Sequence, residues 1–255
     1  MVAPVQGGGS CAGAYGEVFS RRVTVLGGHF GSGKTELTLS AALALAPTFP
    51  ALSLVDLDVV KPYLRSRSAR EILKGAGVEL VAPLGEYFSA DLPIVLPEIR
   101  SRLVDPDRKI LLDVGGDDLG VRALASLRDA VPEAETDFFL ILNFKRPLTP
   151  DVASAAEMAH RITAVSRLRP TGLLANTHLM GETTEEVVLD GLRLAEEAGR
   201  DLGLPVRGVG VPEVLAGNLA GRTGGVPVLP VRRIVRPPFE IDRERRTVGP
   251  LFVVG

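Results

Sequence analysis

Residues 28–35, Gly28-His29-Phe30-Gly31-Ser32-Gly33-Lys34-Thr35, decide the fold. They spell G-x-x-x-x-G-K-T. Residues 22–27 just before them read as a short buried strand, and residues 36–46 just after as a helix that Pro47 ends. Strand, glycine loop and helix together form the setting in which this pattern holds phosphate. The glycines permit a tight turn whose backbone N–H groups point inward, and the helix N-terminus adds partial positive charge. Lys34 can reach the β- and γ-phosphates, and the Thr35 hydroxyl can ligate Mg²⁺. All eight residues are therefore candidate nucleotide contacts.

The rest of the composition narrows the class. At 255 residues the chain suits one large α/β domain, and 45% hydrophobic with 24% charged residues is enough to build a core. A net charge of −2 gives no overall basic field, so nucleic acid and anionic membrane are not expected partners. The single cysteine, Cys11, excludes an internal disulfide and any multi-cysteine metal site within one chain. No run approaches the roughly 18 apolar residues that span a bilayer. Residues 1–20 lack a basic start followed by an apolar core, so they do not read as a secretion signal. The expected location is the cytoplasm. Residues 1–20, rich in Gly, Ala and Ser, are expected to be a flexible extension with Cys11 as an incidental thiol, and residues 21–255 a single nucleotide-binding domain.

Further acids fall at strand ends. Residues 51–55 form an apolar run closed by Asp56-Leu57-Asp58, which places carboxylates at a carboxyl edge, where open α/β sheets bind ligands. A turn capped by Asp58 is the alternative. The polar stretch 59–68 carries arginines that are either solvated or aimed at phosphate, and residues 84–97 read as a loop over the site edge. Residues 109–113 are a continuous apolar strand ending in Asp113-Val114-Gly115-Gly116. An acid at the tip of a buried strand beside a phosphate loop is the Walker B arrangement, in which Asp113 would hold the Mg²⁺ shell. D-x-x-G also lets the Gly116 amide sense the γ-phosphate. Strands follow at 137–143, 172–176 and 205–212, with helices at 119–131, after the cap Thr149 with Val152, Ala156, Ala159, Ile162 and Val165 at helical spacing, and at 183–202. Residues 226–255 read as short extended pieces. His160, on the helix after Thr149, reads as a surface or packing residue. Alternation of strand and helix predicts an α/β three-layer αβα sandwich with a mostly parallel central sheet, the P-loop NTPase architecture.

With these residues assembled, the chain resembles the CobQ/CobB/MinD/ParA nucleotide-binding group of P-loop proteins over roughly residues 21–215. Gly28 to Thr35 match its phosphate loop. Asp58 matches the switch I acid that helps position the attacking water, and Asp113 to Gly116 match Walker B and switch II. Asn176 matches the asparagine that bonds the base edge, and Pro212 lies in a segment similar to the one that packs on the base. Two departures stand out. The lysine that MinD- and ParA-type members carry at the loop's second position is His29 here. The N-K-x-D of guanine readers is replaced by Asn176-Thr177-His178-Leu179, with Leu179 in the acid's place, which implies ATP over GTP.

The resemblance implies a Mg-ATP-binding protein, a slow ATP hydrolase that acts as a nucleotide-dependent switch on a protein partner. Lys34, Asp58 and Asp113 would be its catalytic residues, and Thr35, Asp113 and Asp58 its Mg²⁺ ligands. A nucleotide-dependent homodimer is a further implication. The alternative is an ATP-dependent ligase or kinase of the dethiobiotin-synthetase type, whose small-molecule pocket residues 61–67 and 84–97 would line.

Overall fold

The computed structural model describes residues 8–58, 67–82 and 97–234. A single sheet organises them. In chain order its strands are β1 (Val23–Gly27), β2 (Leu52–Leu57), β3 (Glu79–Val81), β4 (Lys109–Val114), β5 (Thr136–Leu142), β6 (Gly172–Ala175), β7 (Val206–Pro212) and β8 (Val228–Val231). Their spatial order is β3-β2-β4-β1-β5-β6-β7-β8, and every pairing is parallel. The helices are α1 (Gly8–Val18), α2 (Lys34–Leu45), α3 (Arg67–Gly75), α4 (Pro97–Val104), α5 (Asp118–Ser126), α6 (Val152–Ser166), α7 (Glu185–Leu202) and α8 (Glu213–Leu219).

Helices cover both faces, which is why the central strands are apolar throughout rather than alternating. On one face Leu26, Leu54, Leu111 and Phe139 meet Tyr15 of α1, Leu37 of α2 and Leu73 of α3. On the other, Val25, Val55, Leu112 and Leu140 meet Ile99 of α4, Leu124 of α5, Met158 of α6 and Leu192 of α7. The expected three-layer αβα architecture is present. None of the described helices is long and apolar enough to cross a membrane.

The amino ends of the strands carry a polar network. Glu79 accepts from the Ser53 hydroxyl at 2.7 Å, from Arg102 at 2.8 Å and from Arg108 at 2.7 Å. These bonds, that of Arg102 foremost, hold its carboxyl below the usual range. Arg22 donates to the carbonyls of Asp105 (2.7 Å) and Leu103 (2.9 Å). Lys109 reaches the carbonyls of Phe19 and Arg21, and burial lowers its ammonium to about 8.

Several local expectations are corrected. The flexible extension expected through residue 20 contains α1, and Tyr15, Val18 and Phe19 are buried. Phe19 meets Phe139 edge-on at 5.9 Å, and the Tyr15 hydroxyl donates to the Pro230 carbonyl at 2.8 Å. Three apolar residues at i, i+3 and i+4 outweigh a Gly-rich composition once a sheet face is there to receive them. Thr149 is not the cap of α6. Asp151 is, in a reciprocal capping box with Ser154. Helix α5 stops at Ser126, short of residue 131. In keeping with the extended reading of the stretch from residue 226, Val228–Val231 pairs with β7 as an eighth strand. The polar stretch 59–66, the loop over 84–96 and the pieces beyond residue 234 lie outside the described residues. So does most of the lining on which the small-molecule pocket of the ligase alternative depended.

Candidate functional site

Because the sheet is parallel, the residues that follow its strands gather at one edge, in the crevice where such sheets bind ligands. Residues 28–33 follow β1, Asp58 follows β2, Asp113 sits near the end of β4, Asn143 follows β5, and Asn176 follows β6. At this edge lies a cavity of about 550 Å³ that Phe30, Gly31, Lys34, Thr35, Asp58, Asn176, His178 and Pro212 help to line. That volume is in the usual range for small-molecule and cofactor sites.

The phosphate loop is held open by glycine. Gly33, the residue before α2, has φ +82°, and a Cβ there would lie 2.4 Å from Asn176 Nδ2 and 2.9 Å from His178 Nε2. No side chain caps α2, so the first N–H groups of this helix face the cavity edge without an internal competitor. The Ser32 amide bonds the His29 carbonyl at 3.2 Å, and Lys34 Nζ donates to the same carbonyl at 3.1 Å. Lys34 is 6% exposed. Burial lowers its ammonium from the ordinary value, against the pull of Asp113, Asp58 and Asp117.

The acids lie beside it. Thr35 donates its hydroxyl hydrogen to Asp113 Oδ2 at 2.7 Å. Asp113 Oδ1 is buried without a hydrogen-bond partner, and burial pushes the carboxyl up to about 6, partly offset by Lys34 and the Thr35 bond. The Asp58 amide bonds Asp56 Oδ1 at 2.9 Å, a short turn that sets Asp58 on the cavity wall. Among the described residues no group of three or more His, Cys, Asp or Glu could enclose a metal. That donor set still fits Mg²⁺, which keeps several waters and is held by one or two carboxylates plus substrate phosphates. The partnerless Asp113 Oδ1 and the Thr35 hydroxyl supply hard oxygens of the required kind.

Gly116 sits directly beneath the loop, where a Cβ would come within 2.5 Å of the Phe30 amide nitrogen and 2.9 Å of the Gly28 carbonyl. Asn176 Nδ2 donates to the Ser32 carbonyl at 2.7 Å, so in this structure its amide braces the loop. His29 turns away from the cavity lining. Its Nδ1 lies 2.9 Å from the Thr149 hydroxyl, its amide contacts Met158 Sδ, and burial and Arg161 keep its imidazole below the ordinary value. Phe30 lines the cavity and is 43% exposed.

Two residues passed over as site candidates, Arg146 and His178, belong to this wall, and buried Asn143 stands behind them. Asn143 is 1% exposed, receives the amides of Lys145 (3.0 Å) and His178 (3.3 Å) on Oδ1, and donates to the His178 carbonyl at 3.3 Å. Arg146 Nε donates to the Gly31 carbonyl at 3.1 Å. His178 accepts the Met180 amide on Nδ1 at 3.4 Å, and burial, then Arg146, lower it to about 4. A polar residue directly after an apolar strand was the available signal for Asn143, the same one that marked Asn176.

No family model and no curated protein matches the sequence. Solved structures do match. The cell division protein FtsY from Thermotoga maritima is similar with a TM-score of 0.52 at 16% identity, over 76% of this chain and 62% of that one. FtsY from Mycoplasma mycoides gives 0.51 at 14% identity, over 78% and 63%. The Signal Recognition Particle 54 kDa protein from Aeropyrum pernix, in complex with GDP, gives 0.50 at 16% identity, over 74% and 41%. The chain thus spans less than two thirds of the length of each. The likeness is one of fold, that of the P-loop NTPases, and it does not support the narrower CobQ/CobB/MinD/ParA grouping.

The expectation of ATP is overturned at the same point. The Signal Recognition Particle 54 kDa structure carries GDP, a guanine nucleotide. Leu179, on which the adenine reading rested, does not line the cavity. Its amide bonds the Thr183 hydroxyl at 2.9 Å in the turn beyond. A missing acid at position 179 therefore says nothing about the base.

Proposed function

We propose that the protein binds a guanine nucleotide with Mg²⁺ in this cavity and acts as a nucleotide-dependent switch on a protein partner. The observation that carries the reading is the convergence of Thr35, Asp113 and the buried Lys34 under a glycine loop at the carboxyl edge of β1 and β4. The guanine assignment draws on the GDP complex of the Signal Recognition Particle 54 kDa protein. Mg²⁺, when bound, would neutralise phosphate charge beside Thr35 and Asp113.

In this reading the loop amides and Lys34 bind the phosphate chain, with Lys34 exchanging the His29 carbonyl for a phosphate oxygen. Asp58, on the cavity wall, orients the attacking water. Gly116, packed against the Phe30 amide, passes any shift of the loop to α5. Exposed Phe30, on the cavity lining, offers apolar surface to a partner at the mouth.

Calorimetric titration with GDP and GTP, with and without Mg²⁺, and competition by ADP and ATP test the reading. Binding of GDP that ADP does not compete away, and that Lys34→Ala abolishes, is expected. Wild-type affinity in Lys34→Ala, or equal competition by ADP, would overturn it.

A further inference from the structure

The turn after β5 touches the phosphate loop at two separate points, and one of them presents a cation with open hydrogen-bonding capacity. The Arg146 amide bonds the Asn143 carbonyl at 3.3 Å, and the Thr149 amide bonds the Arg146 carbonyl at 3.0 Å. Pro147 follows immediately, restricting the Arg146 backbone further. Buried Asn143 anchors the start of this turn, and the Thr149–His29 contact anchors its end. The side chain is therefore delivered from a fixed base.

From there Arg146 lies along the loop. Its Cγ, Cδ and Nε would all be 3.5–3.7 Å from a Cβ at Gly31, and Nε donates to the Gly31 carbonyl. The guanidinium lines the same cavity as Lys34, Thr35 and His178. Among the described residues no carboxylate pairs with it, and its Nη1 and Nη2 make no hydrogen bond. Several other arginines behave differently. Arg22, Arg100, Arg102, Arg108, Arg128 and Arg222 each hold a carboxylate. A guanidinium fixed through one nitrogen, with a two-nitrogen fork left open beside a phosphate loop, is suited to a bidentate phosphate contact.

We infer that Arg146 is a second cationic ligand of the nucleotide's phosphate chain, gripping it from the β5 side while Lys34 grips it from below. The inference rests on the nucleotide reading above and adds a residue that the loop motif does not include. Arg146 binds by charge and hydrogen bonds to phosphate oxygens, so it contributes to any nucleoside diphosphate or triphosphate and nothing to the bare nucleoside.

The test is calorimetric affinity for GDP and for guanosine in wild type, Arg146→Gln, Arg146→Lys and Lys34→Ala, at low and moderate salt, with a melting temperature for each. Arg146→Gln is expected to bind GDP about 10- to 100-fold more weakly. It should show a flatter salt dependence, with guanosine affinity and melting temperature unchanged, and Arg146→Lys should recover part of the loss. Equal weakening of GDP and guanosine would mean that Arg146 only braces the Gly31 carbonyl, and the inference fails. It fails too if Arg146→Gln keeps GDP affinity within twofold while Lys34→Ala loses it. Retained GDP binding in Lys34→Ala would instead sink the underlying nucleotide reading.

Discussion

The Thr35 hydroxyl donates to Asp113 Oδ2 at 2.7 Å, joining the first turn of α2 to the tip of β4. Together they present adjacent oxygens of the kind that a hard cation takes. Thr35→Val keeps the shape and removes the donor. It should lower stability by about 1–3 kcal/mol, because the Asp113 oxygen then stays buried without its bond. The Mg²⁺-dependent gain in GDP affinity should fall at least about tenfold. Urea unfolding and a Mg²⁺ titration at fixed GDP measure the two effects separately.

Two groups beside the cavity, half-buried His178 and buried Asp113, give pH dependences of opposite sign. His178 is depressed to about 4 from 6.5. The folded chain therefore binds fewer protons than the unfolded one between these values, and stability is lost as pH falls through that window. Asp113 is raised to about 6 from 3.8, so its contribution runs the other way and improves as pH falls from about 6 to 4. Either shift, taken whole, corresponds to about 3 kcal/mol. Nucleotide-free wild type should show a shallow net slope from these two groups. Asp113→Asn should lose stability more steeply than wild type on acidification, and His178→Gln less steeply. Urea midpoints at about pH 7, 6 and 5 decide; identical slopes in all three proteins would refute the pairing.

Gly116 is a steric requirement and not a conformational one. A methyl group there meets the Phe30 amide at 2.5 Å and the Gly28 carbonyl at 2.9 Å, both backbone atoms that cannot rotate aside. Gly116→Ala should cost about 1–3 kcal/mol by overpacking and weaken GDP binding through the displaced loop. Gly217→Ala in α8, where nothing lies within 4 Å, should instead gain up to about 1 kcal/mol. Thermal melts of the pair compare them directly.

Asp151 caps α6 by accepting the Ser154 amide at 2.8 Å. Asp151→Ala should remove about 1 kcal/mol, or about 2–4 °C of melting temperature, with GDP affinity unchanged. Thr149→Val should leave the helix intact and alter only the surroundings of His29, which a pH titration of the His29 imidazole by NMR would detect.

Much of the fold was legible because parallel strands buried on both faces are long apolar runs, and those of β1, β4, β5 and β6 are unmistakable. The loop, Asp113 and Asn176 were legible because each follows such a run directly. Where two signals competed, the reading failed. Thr149 and Asp151 are both good caps two residues apart, but Asp151 exchanges bonds with Ser154 while Thr149 lies against His29. Helix α1 is Gly-rich, and the partners that hold Tyr15 and Phe19 are more than a hundred residues distant. Arg146 carried no motif at all. Its meaning comes from the Gly31 carbonyl that it touches and the carboxylate that it lacks. Leu179 erred in the opposite direction, since a four-residue motif was read at a place where the chain has already turned away from the cavity.

The arginine and lysine network around Glu79, Arg22 and Lys109 occupies the amino ends of the same strands whose carboxyl ends carry Asp58, Asp113 and Asn176. A strand of five or six residues, with a rise of about 3.3 Å each, keeps these two rims some 15–20 Å apart. The amino rim therefore adds to how firmly the chain is folded at a distance from the rim where the proposed nucleotide would bind. Substitutions in the Glu79 network could adjust heat tolerance as an independent dial, leaving the opposite rim with its chemistry unaltered.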